Sequence, residues 1–204
     1  KHETINARRN VALFELSPFA KFELSGEKTH YSLQYICANN IKNEIGSITY
    51  TQMLNSKGGI EADLTVTCVD KNKFRIVTGS GVRVHDKKHI LKHLDKSIEF
   101  KDITDNIACF GIFGPKSSDL VTKLFGKHFS NNDFKFGTGK NIVFNEIEMW
   151  FQRLSYVGEL GWEIYIPIEK SKQIYELIVS VEKEFDLVHA GAHSMDIMRM
   201  EKGY

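Results

Sequence analysis

The sequence is poor in cysteine and proline, with three of each, and neither sign of charge dominates. Cys37, Cys68 and Cys109 are odd in number, widely spaced and form no Cys-x-x-Cys pair. They read as reduced, partly buried residues of a reducing compartment: the cytoplasm, or the mitochondrial matrix in a eukaryote. Lys plus Arg is 27 and Asp plus Glu is 26, a net charge of +1. That balance argues against a nucleic-acid binder that works by phosphate neutralisation, and against a polybasic membrane-surface protein. No apolar run approaches the roughly 20 residues of a membrane-spanning helix. The opening Lys-His-Glu-Thr shows no charged-then-apolar signal pattern. What is present is ordinary for a globular chain: 204 residues, 42% hydrophobic and 26% charged, with 14 Phe to build an aromatic core.

Periodicity predicts helices over residues 3–16, 28–39, 83–96, 115–125, 169–185 and 193–200. It predicts strands over 19–24, 48–54, 60–69, 74–78, 97–104, 107–113, 140–156 and 162–167. The mixed order is that of an α+β fold. Residues 1–204 read as one domain with soft subdivisions near 97 and 140 and no linker. Both ends look cut from a longer polypeptide.

Local motifs exclude more than they establish. His85, His89 and His93 recur at i, i+4 and i+8 on one helix, a spacing that can share a metal ion. The spacers Lys87, Lys88 and Lys92 favour a solvated face instead, and no metal site is expected. Gly79-Ser80-Gly81 does not complete a dinucleotide fingerprint, and Gly137-Thr138-Gly139-Lys140 lacks P-loop spacing. No Gly-x-Ser-x-Gly elbow is present. Asp63 is a lone carboxylate in a β-branched strand, facing either solvent or a polar cavity; alternation alone favours solvent. The segment from Tyr156 to Glu163 places a Tyr and two Glu around a glycine turn. A carboxylate there can accept paired N–H bonds from a heterocycle, or can simply be an exposed acid.

Five segments in order resemble the folate-binding aminomethyltransferase family, the T-protein of the glycine cleavage system and its relatives. They are Val11-Ala12-Leu13-Phe14-Glu15-Leu16-Ser17; Tyr50-Thr51-Gln52-Met53-Leu54-Asn55 with Gly58-Gly59 and Asp63-Leu64; Phe110-Gly111-Ile112-Phe113-Gly114-Pro115-Lys116; Tyr156-Val157-Gly158-Glu159 with Gly161-Trp162-Glu163-Ile164; and Met198-Arg199-Met200-Glu201-Lys202-Gly203. Ser17-Pro18-Phe19-Ala20-Lys21-Phe22 and Gly191-Ala192-His193-Ser194-Met195-Asp196 resemble the branch fused behind a flavin dehydrogenase, the dimethylglycine and sarcosine dehydrogenases.

The resemblance implies two interlocked ferredoxin-like halves with a pocket between them, and a C-terminal barrel absent from this chain. It implies tetrahydrofolate as cofactor, with FAD only on a separate N-terminal domain. The implied activity takes the one-carbon unit of an amine-derived iminium to 5,10-methylene-tetrahydrofolate. The implied partners are folate, the iminium and a fused flavin dehydrogenase domain. Rivals are a stand-alone T-protein-like aminomethyltransferase served by a lipoyl carrier, a folate-dependent demethylase, and a folate-binding regulatory module without turnover. Carried over residue by residue, Asp63 is the catalytic aspartate beside the folate N10 and Glu163 accepts the pterin N–H bonds. Tyr50 and Tyr156 line the pocket, and Thr65 and Val77 fall on its wall. The family pattern is broken at Ala62, which replaces the first Asp of a pair, at Gly79, which replaces Asn, and at Met195, which replaces an Arg. Arg199 stands nearby as a replacement for that Arg, or as a partner in a structural ion pair.

Overall fold

The computed structural model describes residues 1–126, 129–130 and 132–204. They form two units: Lys1–Leu16 together with Ile107–Tyr204, and Ser17–Asn106. The chain opens with α1 (His2–Arg9) and β1 (Val11–Glu15) of the first unit. The helix expected over 3–16 therefore stops at Arg9. Val11 to Phe14 are all buried, and such an unbroken apolar run suits a strand covered on both faces better than a helix with one dry side.

The second unit runs β2 (Ala20–Ser25), α2 (Thr29–Ile36), β3 (Ile48–Leu54), β4 (Ile60–Asp70), β5 (Lys73–Thr78), α3 (Arg83–His93) and β6 (Glu99–Asp102). Its sheet is ordered β3-β4-β5-β2-β6, with all adjacent strands antiparallel. Alternation divides the sheet cleanly. Phe22, Leu24, Leu64, Val66, Phe74 and Ile76 pack with Leu33 and Ile36 of α2 and Ile90 of α3. The opposite face is polar. The subdivision read near residue 97 lies inside this unit, because β6 pairs with β2.

The first unit resumes with β7 (Ile107–Phe113), α4 (Ser117–Phe125), β8 (Gly139–Phe144), β9 (Ile147–Gln152), β10 (Gly161–Pro167), α5 (Ser171–Val179), α6 (Glu182–Phe185), β11 (Leu187–Ala190) and α7 (Ala192–Lys202). Its sheet is ordered β11-β1-β7-β10-β9-β8, and β1 pairs with β11 in parallel. The single strand expected over 140–156 is a hairpin. Asn145 and Glu146 both take positive φ, 47° and 64°, as a tight two-residue turn between antiparallel strands requires. The subdivision read near 140 thus falls at the start of a paired strand. The long helix expected over 169–185 is broken into α5 and α6. Asp186, left-handed at φ 53°, ends α6 and releases the short β11, too brief for periodicity to reveal. Gly203 at φ 90° closes α7. The core is aromatic, as the Phe content implies: Trp162 stands edge-on to Phe129 at 5.6 Å and 86°. All three cysteines are free and buried, and burial pushes the Cys37 thiol up to about 12. Among the described residues no helix is long and apolar enough to cross a membrane.

Candidate functional site

In the second unit, the polar face of the sheet gathers residues that lie far apart in sequence. Tyr50, Thr65, Val77 and Lys21 are successive cross-strand partners on β3, β4, β5 and β2. Such neighbours stand about 5 Å apart, so Tyr50, expected to line the pocket, and Thr65 and Val77, expected on its wall, form one row. Asp63 lies in the adjacent row opposite Gln52, whose Nε2 donates to Asp63 Oδ1 at 3.0 Å. Asp63 is exposed, as alternation favoured. Ala62 points the other way, into the helix-side core. An acid at position 62 would face that apolar layer, which suits the alanine found there.

Sequence reasoning passed over the rest of this face. Lys21 is fully buried, and its Nζ donates to the carbonyls of Ser17 and Phe19, both at 2.8 Å. Beyond it, Glu23 receives Arg75 Nη2 and Lys73 Nζ, each at 2.7 Å. Burial alone would raise the Glu23 carboxyl, but Lys73 and Arg75 outweigh it and hold it below the usual carboxylate range. The period of two along β2 and β5 was the available signal: Lys21 and Glu23, Arg75 and Val77 share a face.

In the first unit, Glu163 sits on β10 between Gly111 of β7 and Gln152 of β9. A hydrogen-bonded chain leads to it. Trp150 Nε1 donates to Gln152 Oε1 at 3.1 Å, Gln152 Nε2 reaches Tyr165 Oη at 3.4 Å, and Tyr165 Oη donates to Glu163 Oε2 at 2.7 Å. The strip is kept low by glycine. A Cβ on Gly111 would meet the Phe113 ring at 2.5 Å and Leu16 Cδ1 at 2.9 Å, and one on Gly139 would strike the Trp150 indole at 2.6 Å. Tyr165 and Gln152 were also missed, although Tyr165 lies two residues after Glu163 and so on its face.

Tyr156 lies in the irregular segment before β10, and its ring is parallel to that of Tyr204 at 6.2 Å and 8°. Arg199 pairs with Asp196 at 3.2 Å and donates to the Tyr204 carbonyl at 3.0 Å. Tyr156 and Arg199 are thus brought together through Tyr204, and Arg199 makes the local ion pair that was one of its two readings.

Two of the three histidines of α3, His85 and His93, are engaged through a ring nitrogen. His85 Nδ1 lies 2.9 Å from Asp86 Oδ1 and its Nε2 lies 3.2 Å from Glu61 Oε2. His93 Nδ1 bonds the His89 carbonyl at 2.9 Å. Among the described residues no group of three or more His, Cys, Asp or Glu is placed to hold a metal ion.

This architecture has known counterparts. The aminomethyltransferase T of the glycine cleavage system from Bartonella henselae superposes with a TM-score of 0.87 at 21% identity, covering 100% of this chain and 54% of that one. The fold is therefore that of the T-protein. Human mitochondrial dimethylglycine dehydrogenase is 34% identical over 199 residues, which cover 96% of this chain and 23% of that protein. The aminomethyltransferase of Halothermothrix orenii is 28% identical over 199 residues, 97% of this chain and 55% of that protein. The chain thus spans about a quarter of the human relative and about half of the bacterial one. The model of the GCVT N-terminal domain matches residues 1–204, and the chain belongs to that family.

Proposed function

We propose that this chain is the tetrahydrofolate-binding part of a one-carbon transferase that works on an oxidised N-methyl amine of the dimethylglycine or sarcosine type. The observation that carries the reading is the register of the five-stranded sheet. Tyr50, Thr65 and Val77, drawn from three separate segments, fall into one cross-strand row, and Asp63 stands in the next. A ligand laid on that face meets an aromatic ring, a hydroxyl, an apolar wall and a carboxylate in sequence, which suits a flat, amphipathic heterocycle with a cationic reaction partner.

In this reading tetrahydrofolate supplies the two nitrogens that take up the carbon: an iminium cation and tetrahydrofolate give 5,10-methylene-tetrahydrofolate and a protonated amine. Asp63 stabilises the cation and orients the attacking amine, an effect that strengthens as the bound ligand excludes water from the face. Gln52 fixes the Asp63 rotamer through the 3.0 Å bond. Glu163, held at Oε2 by Tyr165, accepts N–H donors of the pterin. On the first unit, Tyr156 offers a stacking surface and Arg199 a cation. The iminium is delivered by a flavin dehydrogenase, with FAD bound on a part of the protein outside this chain.

The test is calorimetric titration of the complete protein with tetrahydrofolate, wild type beside Glu163→Ala and Asp63→Ala. Loss of binding in Glu163→Ala, with Asp63→Ala sparing affinity but losing transfer, supports the division of roles. Undiminished binding by Glu163→Ala refutes the assigned pterin contact.

A further inference from the structure

We infer that Arg8 is the positioning residue that sets Tyr156 and Arg199 together, so that folate affinity depends on a side chain with no assigned ligand contact. The inference rests on the folate reading above. Arg8 lies in the last turn of α1, remote in sequence from every element it holds. Its guanidinium is saturated. Nη1 donates to the Val157 carbonyl at 2.7 Å and to Glu159 Oε1 at 2.9 Å. Nη2 donates to the Met198 carbonyl at 3.0 Å and to Glu201 Oε2 at 2.9 Å, and Nε reaches the same Glu201 oxygen at 3.3 Å. All five N–H donors of an arginine are used.

The two carbonyls it grips are the informative ones. Val157 follows Tyr156 directly, and Met198 precedes Arg199 directly. One rigid, planar fork therefore fixes the backbone beside each of two residues assigned to the ligand. Those residues also meet at Tyr204: Tyr156 lies parallel to its ring, and Arg199 binds its carbonyl. A second tie keeps α1 in place along α7. Glu3 Oε2 accepts from Gly191 N at 2.9 Å and from Ser194 Oγ at 2.6 Å, which gives the N-cap N–H of α7 an acceptor. α1 thus grips α7 near both ends, and Arg8 adds the segment that carries Tyr156. Burial alone would lower the Arg8 pKa, but Glu201 and Glu159 raise it, so the guanidinium stays charged. Lysine cannot replace it: three donors on one nitrogen cannot reach two carbonyls and two carboxylates in this planar spread.

The experiment measures the dissociation constant of tetrahydrofolate on the complete protein carrying Arg8→Met or Arg8→Lys. Each is combined with Tyr156→Ala and with Arg199→Ala, and thermal melting is recorded alongside. Both Arg8 variants are expected to bind about tenfold more weakly, because the backbone beside Tyr156 and beside Arg199 loses the charged fork that fixes it. The effects of Tyr156→Ala and Arg199→Ala are expected to shrink in the Arg8 backgrounds, since the residues act as one unit. A merely structural role lowers the melting temperature but leaves those effects additive, and additivity overturns the inference. Binding within twofold of wild type in either Arg8 variant also overturns it. If Arg8→Met does not fold, Arg8→Lys, which keeps the charge and most of the stem, gives the same two readouts. Glu163→Ala is run in parallel: if it retains binding, the folate reading itself fails, whereas lost binding there with unchanged binding in Arg8→Lys fails this inference alone.

Discussion

Thr78→Val tests how the second unit joins its sheet to its helix layer. Thr78 ends β5 and is buried, and Asp86 lies in the first turn of α3 with no exposed surface. Thr78 Oγ1 donates to Asp86 Oδ2 at 2.6 Å, while Asp86 Oδ1 faces His85 Nδ1 at 2.9 Å. Valine has the shape of threonine but no hydroxyl. The change removes a hydrogen bond to a charged group, which contributes about 1.5–3 kcal/mol. The added methyl recovers at most about 0.8 kcal/mol of apolar burial. The expected net loss is therefore about 2 kcal/mol. With a urea m-value of about 1 kcal/mol/M for so small a unit, the midpoint falls by about 2 M. Thr78→Ser keeps the donor and loses one methyl, so it is expected to fall by no more than about 1 kcal/mol. The assay is urea unfolding of the three proteins followed by circular dichroism, with the m-value as a control on the unfolded state. A Thr78→Val protein within about 0.5 kcal/mol of wild type, or a serine variant weaker than the valine one, would show that the Thr78–Asp86 bond does not hold β5 to α3.

Three further outcomes concern single residues of the two units. The lowered Glu23 carboxyl contributes stability above its ordinary titration range, and this is lost as pH falls through its folded value. Glu23→Gln is therefore expected to cost about 2 kcal/mol at neutral pH, and the gap in denaturant midpoint should close in acid; a gap that persists there contradicts the assignment. His85 is raised by Asp86, with Glu61 adding to it, whereas His89 is lowered by burial and by His93. The His85 contribution is present below the ordinary imidazole value and lost as pH rises, and the His89 contribution is present above it and lost as pH falls. NMR titration should place the His85 midpoint above that of His89, and coincident midpoints would count against the contacts of His85 with Asp86 and Glu61. Gly161→Ala puts a Cβ against the Ile112 carbonyl and the Phe113 ring. It is expected to destabilise the first unit by about 1–3 kcal/mol in thermal or urea unfolding, and a neutral result would show that the β7–β10 pair yields.

Legibility in the sequence followed the range of the cause. Strands with alternating burial, such as β3, β4 and β5, were readable because a period of two is a local signal. The same alternation set Asp63 toward the open face and Ala62 away from it. Where the deciding partner lay elsewhere, the local signal misled. Val11 to Phe14 carry enough apolar residues for a helix, and only their place between β11 and β7 makes them a strand. The 140–156 stretch looked continuous because Asn145-Glu146 is an uncommon pair for a tight turn, lacking the glycine that usually marks one.

The candidate site shows the same division more sharply. The roles of Asp63 and Glu163 came from resemblance, since a lone carboxylate carries no local mark of function. The residues around them came from neither source. Tyr165 and Gln152 stand on the Glu163 face, yet Gln152 is joined to it only by the β9–β10 pairing. Arg8 is the extreme case. Its partners lie 149, 151, 190 and 193 residues along the chain, so no window on the sequence contains them. Beside Arg9 on a short surface helix it reads as an ordinary basic residue at a helix C-terminus, and that role is also real. What distinguishes the two arginines is how many donors find acceptors once distant segments are folded against α1. A side chain whose five donors are all used by two separate segments can neither shift nor be exchanged without moving both, and this is the physical reason to expect that binding at Tyr156 and Arg199 answers to a residue outside the ligand's reach.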